Sequence, residues 1–328
     1  MVDLERHSRH ILLPQVGAEG QAKIAKSRVL CVGAGGLGSP VIQYLAAAGI
    51  GHLTIIDDDD IDITNLQRQI IHRTSDIGTP KAESAKRFVN DLDPKISVKT
   101  IVDRLVFSNA EEIFFGHDLI IDGTDNIPTR YLIDEICAKL GIPWIYGSVY
   151  RFEGQVSLFN YKGGPRYRDL FPEAPPDHLI PSCSEAGVLG VLPGIIGCLQ
   201  VTEAVKVLID IGEPLTGKLL VYDALECNQK ILKFTNMNDK YIEEQNAPPE
   251  GMMFHEIDSA NAIAKMKEGW APYFIDVRSQ HENQEARIAK AVDICPHTEI
   301  MSAIDRIPRD ADILVHCRSG MRSQIAIM

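Results

Sequence analysis

The sequence predicts a mixed α/β protein, with a doubly wound, mostly parallel sheet followed by a second, smaller α/β domain. Through the first half of the chain, short apolar segments alternate with amphipathic segments. This alternation is typical of a sheet covered by helices on both faces. A polar, proline-containing stretch at 238–252 then interrupts the pattern. We therefore expect domains at 1–237 and 253–328, joined by this linker.

The elements of the first domain follow from these segments in order. The expected parallel strands are RVLCVGA, HLTIID, ISVKTIV, DLIIDGT and IPWIYGS, and QVSLFN and LLVYDA are expected to be later, antiparallel strands. Helical patterns occupy KAESAKRFVNDL, TRYLIDEICAKLG and a longer stretch over about 189–211. Glycine, proline and charge dominate 160–182, which predicts an irregular crossing loop.

Composition restricts the class of protein. The net charge of −12 over 328 residues argues against nucleic acid as a main partner. The polar start is not a signal peptide, and no apolar run approaches the roughly 20 residues of a membrane span, so we expect a cytoplasmic protein without membrane contact. The seven cysteines are scattered, which favours a reducing compartment over a disulfide framework or a metal site.

A glycine-rich loop follows the first strand. In GAGGLG, Gly33 permits the tight turn, Gly35 and its neighbour Gly36 let backbone amides approach a phosphate, and Gly38 lets the helix pack close to the strand. The second strand ends at Asp57, where a carboxylate can accept hydrogen bonds from ribose hydroxyls. This pattern predicts a nucleotide site.

Charged residues beyond the second strand indicate which chemistry the nucleotide undergoes. Asn65 and Arg68 in NLQRQ, with Lys81 in GTPKAES, suit attack on an α-phosphate better than hydride transfer. Asp125, beyond a later strand, could hold Mg²⁺ or cap the next helix. Asp59 could share the role of Asp57, and the acidic run 57–60 could also be a solvated strand end.

These blocks closely resemble the adenylation domain of the ubiquitin-activating superfamily, over residues 4 to about 234. The nearest resemblance is to bacterial adenylyltransferases that activate sulfur carriers for molybdopterin and thiamine synthesis. It implies ATP and Mg²⁺ as cofactors and a small ubiquitin-like partner protein ending in Gly-Gly. It also implies a homodimer in which Arg9 reaches the partner subunit's ATP site, although Arg9 also fits a solvated helix face.

Two features vary within that family. In sulfur-transferring relatives a cysteine at the position of Cys183 bonds covalently to the carrier, whereas in others adenylation suffices, so both roles stay open. Many relatives also bind a structural zinc through two CxxC pairs. Here Arg166 and Asp169 occupy the places of the first pair, and no second pair follows Phe234. We therefore expect no zinc site.

The C-terminal part resembles a rhodanese-like sulfurtransferase domain in IDVR and HCRSGMRS. Arg318, Arg322 and loop amides would surround the Cys317 thiol with positive potential, which favours a persulfide anion. Asp276 and Arg278 match other recurrent positions of that family. Because the sequence given stops 11 residues after Cys317, we expect an incomplete domain with weak transfer activity.

The combined expectation is ATP-dependent adenylation of a carrier's terminal carboxylate, followed by sulfur transfer from Cys317, either directly or relayed through Cys183. A persulfide donor such as a cysteine desulfurase would load Cys317. Two other functions stay open: a nicotinamide-dependent oxidoreductase, and a non-catalytic scaffold for a ubiquitin-like protein. The sequence does not distinguish among the molybdopterin, thiamine, tRNA-thiolation and cysteine pathways.

Overall fold

The structure is a computed structural model that describes residues 3–173, 187–236, 257, 259–278, 282–283, 288, 290–296, 299–303, 306–308, 310–317 and 323. The chain divides into two compact units, Met1–Ala247 and Pro248–Met328. All of the expected linker, 238–252, lies outside the described residues, so its bounds stay a prediction.

An eight-stranded sheet forms the frame of the first unit. Five parallel strands are β1 Arg28–Val32, β2 His52–Ile56, β3 Ser97–Ile101, β4 Leu119–Asp122 and β5 Trp144–Tyr150, and three antiparallel strands are β6 Glu153–Phe159, β7 Lys218–Asp223 and β8 Asn228–Lys233. The order across the sheet is β3-β2-β1-β4-β5-β6-β7-β8. The predicted fold class is confirmed. The strand β8 was not predicted.

Helices cover both faces of this sheet. They are α1 Ser8–Ile11, α2 Gly17–Ile24, α3 Gly38–Ala47, α4 Lys81–Leu92, α5 Phe107–Phe114, α6 Ile127–Leu140, α7 Tyr167–Leu170 and α8 Leu192–Ile209, with short 3-10 helices at Ile63–Asn65 and Thr74–Asp76. Successive residues of β1 point to opposite faces. Val29 therefore packs in one apolar cluster with α3, α4 and α8, and Leu30 packs in the other with α5 and α6.

One helix among the described residues, α8, is long and apolar enough to cross a membrane. Half of it is buried inside the protein, where it packs against α3 and the sheet. A core helix of a globular protein has the same length and composition, so this helix is only weak evidence for a membrane span.

The strand order reverses between β1 and β4. From β1 the chain continues outward through β2 and β3, and then returns to β4 on the other side of β1. The loops that follow β1 and β4 therefore diverge to opposite faces and leave a crevice at the carboxyl ends of these strands. The glycine-rich loop and Asp125 both lie at this edge.

The second unit contains a small parallel sheet. Its described elements are α9 Ser259–Lys267, β9 Tyr273–Asp276, β10 Asp293–Ile294, α10 Ile300–Ala303 and β11 Ile313–His316, and the strand order is β10-β9-β11. Its core contains Ile275, Val277, Cys295, Ala303 and Cys317. The buried Cys317 directly follows the strand β11.

Candidate active site

The glycine-rich loop makes a tight turn between β1 and α3. Gly33 has φ +96°, and its amide donates to the Ile56 carbonyl at 2.8 Å. A Cβ added at Gly38 would lie 2.1 Å from the Gly33 carbonyl oxygen, so only glycine fits there. A Cβ added at Gly35 would instead have one described neighbour within 4 Å, Gln69 Nε2 at 3.6 Å. The loop therefore leaves room for a ligand beside Gly35.

Asp57 closes this loop, a role that the sequence did not indicate. The amide of Ala34 donates to Asp57 Oδ2 at 2.7 Å, and the amide of Asp59 donates to Asp57 Oδ1 at 2.9 Å. Burial raises the pKa of Asp57, and the hydrogen bond from Ala34 partly offsets that rise. A carboxylate has about four acceptor positions, so these two bonds leave capacity for ribose hydroxyls.

Lys81 is the buried cation of the site. Its side chain is 7% exposed, and its Nζ lies 2.6 Å from Oδ2 of the exposed Asp59. Lys81 is also the first residue of α4, where the helix dipole disfavours a positive charge. Helix stability therefore does not explain a lysine here. The contact with Asp59 holds the ammonium at the edge of the sheet that carries the glycine-rich loop.

The NLQRQ segment brings Arg68 against the loop. Asn65 ends a 3-10 helix and accepts from the Asp62 amide at 3.0 Å, while Arg68 Nη1 donates to the Thr64 carbonyl at 3.1 Å. A Cβ added at Gly36 would lie 3.6 Å from Arg68 Cδ. Gln69 is buried, and its Oε1 has no hydrogen-bond partner among the described residues. This oxygen could therefore accept a hydrogen bond from a bound ligand.

His72 links the glycine-rich loop to α4. Its place between two motifs was the only feature of the sequence that pointed to it. Its Nε2 donates to the Ala34 carbonyl at 3.0 Å, and its Nδ1 lies 3.0 Å from Ser84 Oγ on α4. Burial lowers the pKa of His72, which favours the neutral imidazole. The loop and the helix that begins with Lys81 are thus held together.

Asp125 lies exposed on the loop between β4 and α6. Asn126, and not Asp125, caps α6, because its side chain accepts from the Thr129 amide at 3.0 Å. The alternative reading of Asp125 as a helix cap is therefore wrong. The same loop abuts the glycine-rich loop, since a Cβ added at Gly33 would lie 2.9 Å from the Gly123 carbonyl oxygen.

Arg9 lies at the opposite edge of the sheet. The buried His7 packs on Gly49, which precedes β2, and Arg6 donates to the carbonyl of Leu92, which precedes β3, at 3.1 Å. The segment that carries Arg9 is therefore fastened at the amino ends of the strands. The structure does not bring Arg9 to the glycine-rich loop of its own chain. Cys183 lies outside the described residues.

The places of the first zinc-binding pair carry a different set of contacts. Asp169 accepts from the Arg166 amide at 2.7 Å, and Arg166 Nη2 lies 3.0 Å from Asp134 Oδ2. Asp134 is fully buried and also accepts from the Tyr167 amide. Within the described ranges, no group of three or more His, Cys, Asp or Glu side chains could hold a metal ion. The absence of zinc stays a prediction.

In the second unit, Cys317 lies at the carboxyl end of β11. Cys317 is buried, and its Sγ lies 3.5 Å from Ser323 Oγ. Nearby on β9, Asp276 accepts from Arg278 Nη2 at 2.7 Å and from Asn283 Nδ2 at 2.9 Å. Burial raises the pKa of Asp276, but the hydrogen bonds from Arg278 outweigh it and the pKa is lowered. Arg318 and Arg322 lie outside the described residues.

Comparisons with known proteins agree with this geometry. The ThiF family matches residues 7–243, and the rhodanese-like domain matches residues 259–328. The sulfur carrier protein adenylyltransferase of Thermus thermophilus is 47% identical over 69% of this chain and 85% of its own. The probable adenylyltransferase/sulfurtransferase MoeZ of Mycobacterium tuberculosis is 38% identical over 99% of this chain and 87% of its own.

Other relatives and structures extend the likeness. The SAMP-activating enzyme E1 of Haloferax volcanii is 52% identical over 68% of this chain and 82% of its own. Escherichia coli MccB with ATP shares the fold, with a TM-score of 0.63 and 23% identity over 72% of this chain and 73% of its own. The predicted resemblance is thus confirmed, and the chain belongs to the ThiF family, with a rhodanese-like domain in its C-terminal part.

Proposed function

We propose that the chain adenylates the C-terminal carboxylate of a small ubiquitin-like sulfur-carrier protein with ATP, releases pyrophosphate, and passes sulfur through its rhodanese-like domain. The observation that carries this proposal is the buried Lys81, paired with Asp59 at the edge where the glycine-rich loop opens. The names of the relatives support the same reaction, because one is a sulfur carrier protein adenylyltransferase and another, MoeZ, is a probable adenylyltransferase/sulfurtransferase.

The residues at this edge suit ATP with Mg²⁺. The open space beside Gly35 would take phosphate oxygens, Asp57 would accept from the ribose, and the unpaired Oε1 of Gln69 would accept from a ligand hydroxyl or amine. Asp125 would hold Mg²⁺, and the bound metal would neutralise charge on the phosphates. Oxygen donors are the ligands that Mg²⁺ prefers, and Asp125 is exposed toward solvent.

The chemistry needs alignment and charge neutralisation and no general base. The carrier carboxylate is already ionised at neutral pH, and its oxygen attacks the α-phosphorus while the bond to pyrophosphate breaks. Lys81 and Arg68 would stabilise the charge that develops on the phosphate oxygens, and Asn65 and the loop amides would contribute fixed dipoles. A nicotinamide-dependent oxidoreductase or a non-catalytic scaffold would leave the buried Lys81 without a role.

The position of Arg9 supports a homodimer. The segment that carries Arg9 is fastened at the amino ends of the strands by His7 and Arg6, and a five-residue strand at about 3.3 Å per residue places this segment roughly 16 Å or more from the loop. If Arg9 contributes to a phosphate site, it must therefore do so in another copy. A two-fold symmetric pair would give two equivalent sites, each completed by the partner.

The second unit would supply the sulfur. A persulfide on Cys317, loaded by a donor such as a cysteine desulfurase, would attack the carbonyl carbon of the acyl-adenylate and expel AMP. A second thiol would then release the carrier thiocarboxylate from the resulting acyl disulfide, and Cys183 is the candidate for this step. The relatives' names are consistent with carriers of more than one pathway, so the carrier that co-purifies with this chain would identify its pathway.

ATP–pyrophosphate exchange tests the adenylation step. With a carrier ending in Gly-Gly, Lys81→Ala or Asp125→Ala should lower the exchange rate by at least ~10²-fold, because each removes charge stabilisation from the site. The matched control is Lys139→Ala. Lys139 also lies 2.6 Å from a carboxylate, that of Glu111, but both side chains are exposed. Exchange at the wild-type rate in both site variants would refute the proposal.

Sulfur loading tests the second step. Incubation with a persulfidated donor should place sulfur on Cys317, and Cys317→Ser should abolish carrier thiocarboxylate formation while exchange continues at the wild-type rate. Cys295→Ser is the matched control, because Cys295 is a buried cysteine of the same core. Mass spectrometry of chain and carrier gives the readout. Thiocarboxylate formation by Cys317→Ser would show that sulfur takes another route.

A further inference from the structure

We infer that the buried pair Asp122–Arg130 is a positioning device that holds the loop carrying Asp125, so that the Mg²⁺ affinity of the site depends on this pair. The inference rests on the proposed role of Asp125. It concerns two buried residues, Asp122 at the end of β4 and Arg130 in α6. The loop that carries Asp125 connects these two elements.

The pair is buried more deeply than stability alone explains. Arg130 Nε lies 3.1 Å from Asp122 Oδ2, with side chains 7% and 0% exposed. The guanidinium also lies 5.1 Å from the centroid of the Tyr146 ring and donates to the Gly147 carbonyl at 3.3 Å. Burying two charges carries a desolvation penalty that the attraction between them often does not exceed. A protein with an apolar pair of similar volume in place of the ion pair is often at least as stable. A positional role accounts for the pair.

The contacts of the pair converge on Thr124, the residue before Asp125. The amide and the hydroxyl of Thr124 both donate to Asp122 Oδ1, at 2.9 and 2.6 Å. Its carbonyl accepts from Arg130 Nη2 at 3.1 Å. Every polar atom of Thr124 is therefore bound by the ion pair.

The residue after Asp125 is also fixed, because Asn126 caps α6. Asp125 therefore lies between two immobilised neighbours, while its own carboxylate is exposed. The strand end beneath is held as well, since Gln200 Nε2 on α8 donates to the Asp122 carbonyl at 2.7 Å. A ligand held in this way loses little conformational entropy when it binds a metal ion, which strengthens binding.

The test is a double-mutant cycle between Asp125 and the pair. Two variants weaken the device: Arg130→Lys keeps the charge but lacks the second guanidinium nitrogen, and Thr124→Val keeps the shape but lacks the hydroxyl. The first measurement is the Mg²⁺ concentration that gives half-maximal exchange. The second, independent of turnover, is calorimetric ATP binding with and without Mg²⁺. Thermal denaturation reports whether each variant folds.

We expect Arg130→Lys to raise the half-maximal Mg²⁺ concentration about tenfold and Thr124→Val to raise it about threefold. ATP binding without Mg²⁺ should stay at the wild-type value in both. In an Asp125→Ala background neither change should have a further effect, because the pair acts through that carboxylate.

The outcomes separate this inference from the proposed function. If Asp125→Ala alone leaves Mg²⁺ dependence unchanged, the assignment of Asp125 fails. A second outcome is that Asp125→Ala raises the half-maximal Mg²⁺ concentration while Arg130→Lys and Thr124→Val raise it further by the same factors as in the wild-type background. In that case the Mg²⁺ role of Asp125 is supported and the positioning role of the ion pair is overturned. An unchanged half-maximal Mg²⁺ concentration in folded Thr124→Val also overturns the positioning role. Because Thr124→Val keeps the ion pair, it provides this test even where Arg130→Lys does not fold.

Discussion

At the scale of single residues, the tight turn of the glycine-rich loop depends on the absence of a side chain at Gly38. Its sequence position predicted close packing of helix and strand, and the 2.1 Å separation between an added Cβ and the Gly33 oxygen confirms the physical reason. Other residue-scale contacts could not be predicted. The hydrogen bond from the Ala34 amide to Asp57 joins residues 23 positions apart in the chain, and the one from His72 to the Ala34 carbonyl joins residues 38 positions apart. Only the folded sheet brings them together.

We predict that Gly38→Ala abolishes ATP binding and lowers the melting temperature, because the methyl group forces the turn at Gly33 apart. Gly194→Ala is the control. Gly194 also lies in a helix, but an added Cβ there has nothing within 4 Å. This substitution should leave ATP binding intact and stabilise the protein by up to about 1 kcal/mol. Equal melting temperatures for the two variants would contradict the prediction.

Among the elements, α4 and β8 show what sequence patterns can and cannot predict. The pattern KAESAKRFVNDL predicted a helix with the bounds Lys81–Leu92 that the structure has. The strand β8 was missed because it is an edge strand. Ile231 and Leu232 are both exposed and adjacent, so the alternation that identifies a half-buried strand is absent. Lys230 and Lys233 on this strand discourage pairing with another sheet.

The short helix α7 depends on Asp134, so we predict that Asp134→Ala lowers the free energy of unfolding by about 2–3 kcal/mol. The substitution leaves the Tyr167 amide without its buried acceptor and breaks the contact with Arg166. Glu111→Ala, which breaks the exposed pair with Lys139, should cost under about 1 kcal/mol. Denaturant titration measures both.

Treatment with a chelator tests the expectation that no zinc ion stabilises the region of α7. Because Arg166 and Asp169 stand where relatives have cysteines, prolonged treatment with a chelator should leave the melting temperature unchanged. Elemental analysis of the purified protein should find no zinc in stoichiometric amount. A fall in melting temperature with loss of bound zinc would show that residues outside the described ranges ligate a metal.

At the scale of the whole molecule, the two edges of the large sheet are distinct. The sequence predicted a nucleotide site from a set of residues far apart in the chain, and the structure brings five of them to one edge of the sheet: Gly35, Asp57, Arg68, Lys81 and Asp125. Their role in binding a nucleotide stays a prediction. The sequence could not predict on which edge Arg9 would lie. That depends on where His7 packs, which is a tertiary contact with Gly49.

We predict that mixing Arg9→Ala with Lys81→Ala chains restores activity, because a hybrid dimer contains one site with both residues intact. Random pairing makes half of the dimers hybrids with one working site each, which gives about 25% of the wild-type exchange rate. The control mixes Lys81→Ala with the double variant Arg9→Ala/Lys81→Ala, which cannot form an intact site. No recovery in the first mixture would show that Arg9 does not act across subunits.

The location of Arg9 also has a genetic consequence. In the proposed homodimer, a chain that carries both Arg9→Ala and Lys81→Ala would be defective in its own site and would also withhold Arg9 from its partner. Expressed in equal amount beside intact copies, it would inactivate every mixed pair, and only about a quarter of the pairs would keep two working sites. The defective allele would therefore be dominant, although the amount of intact protein is unchanged.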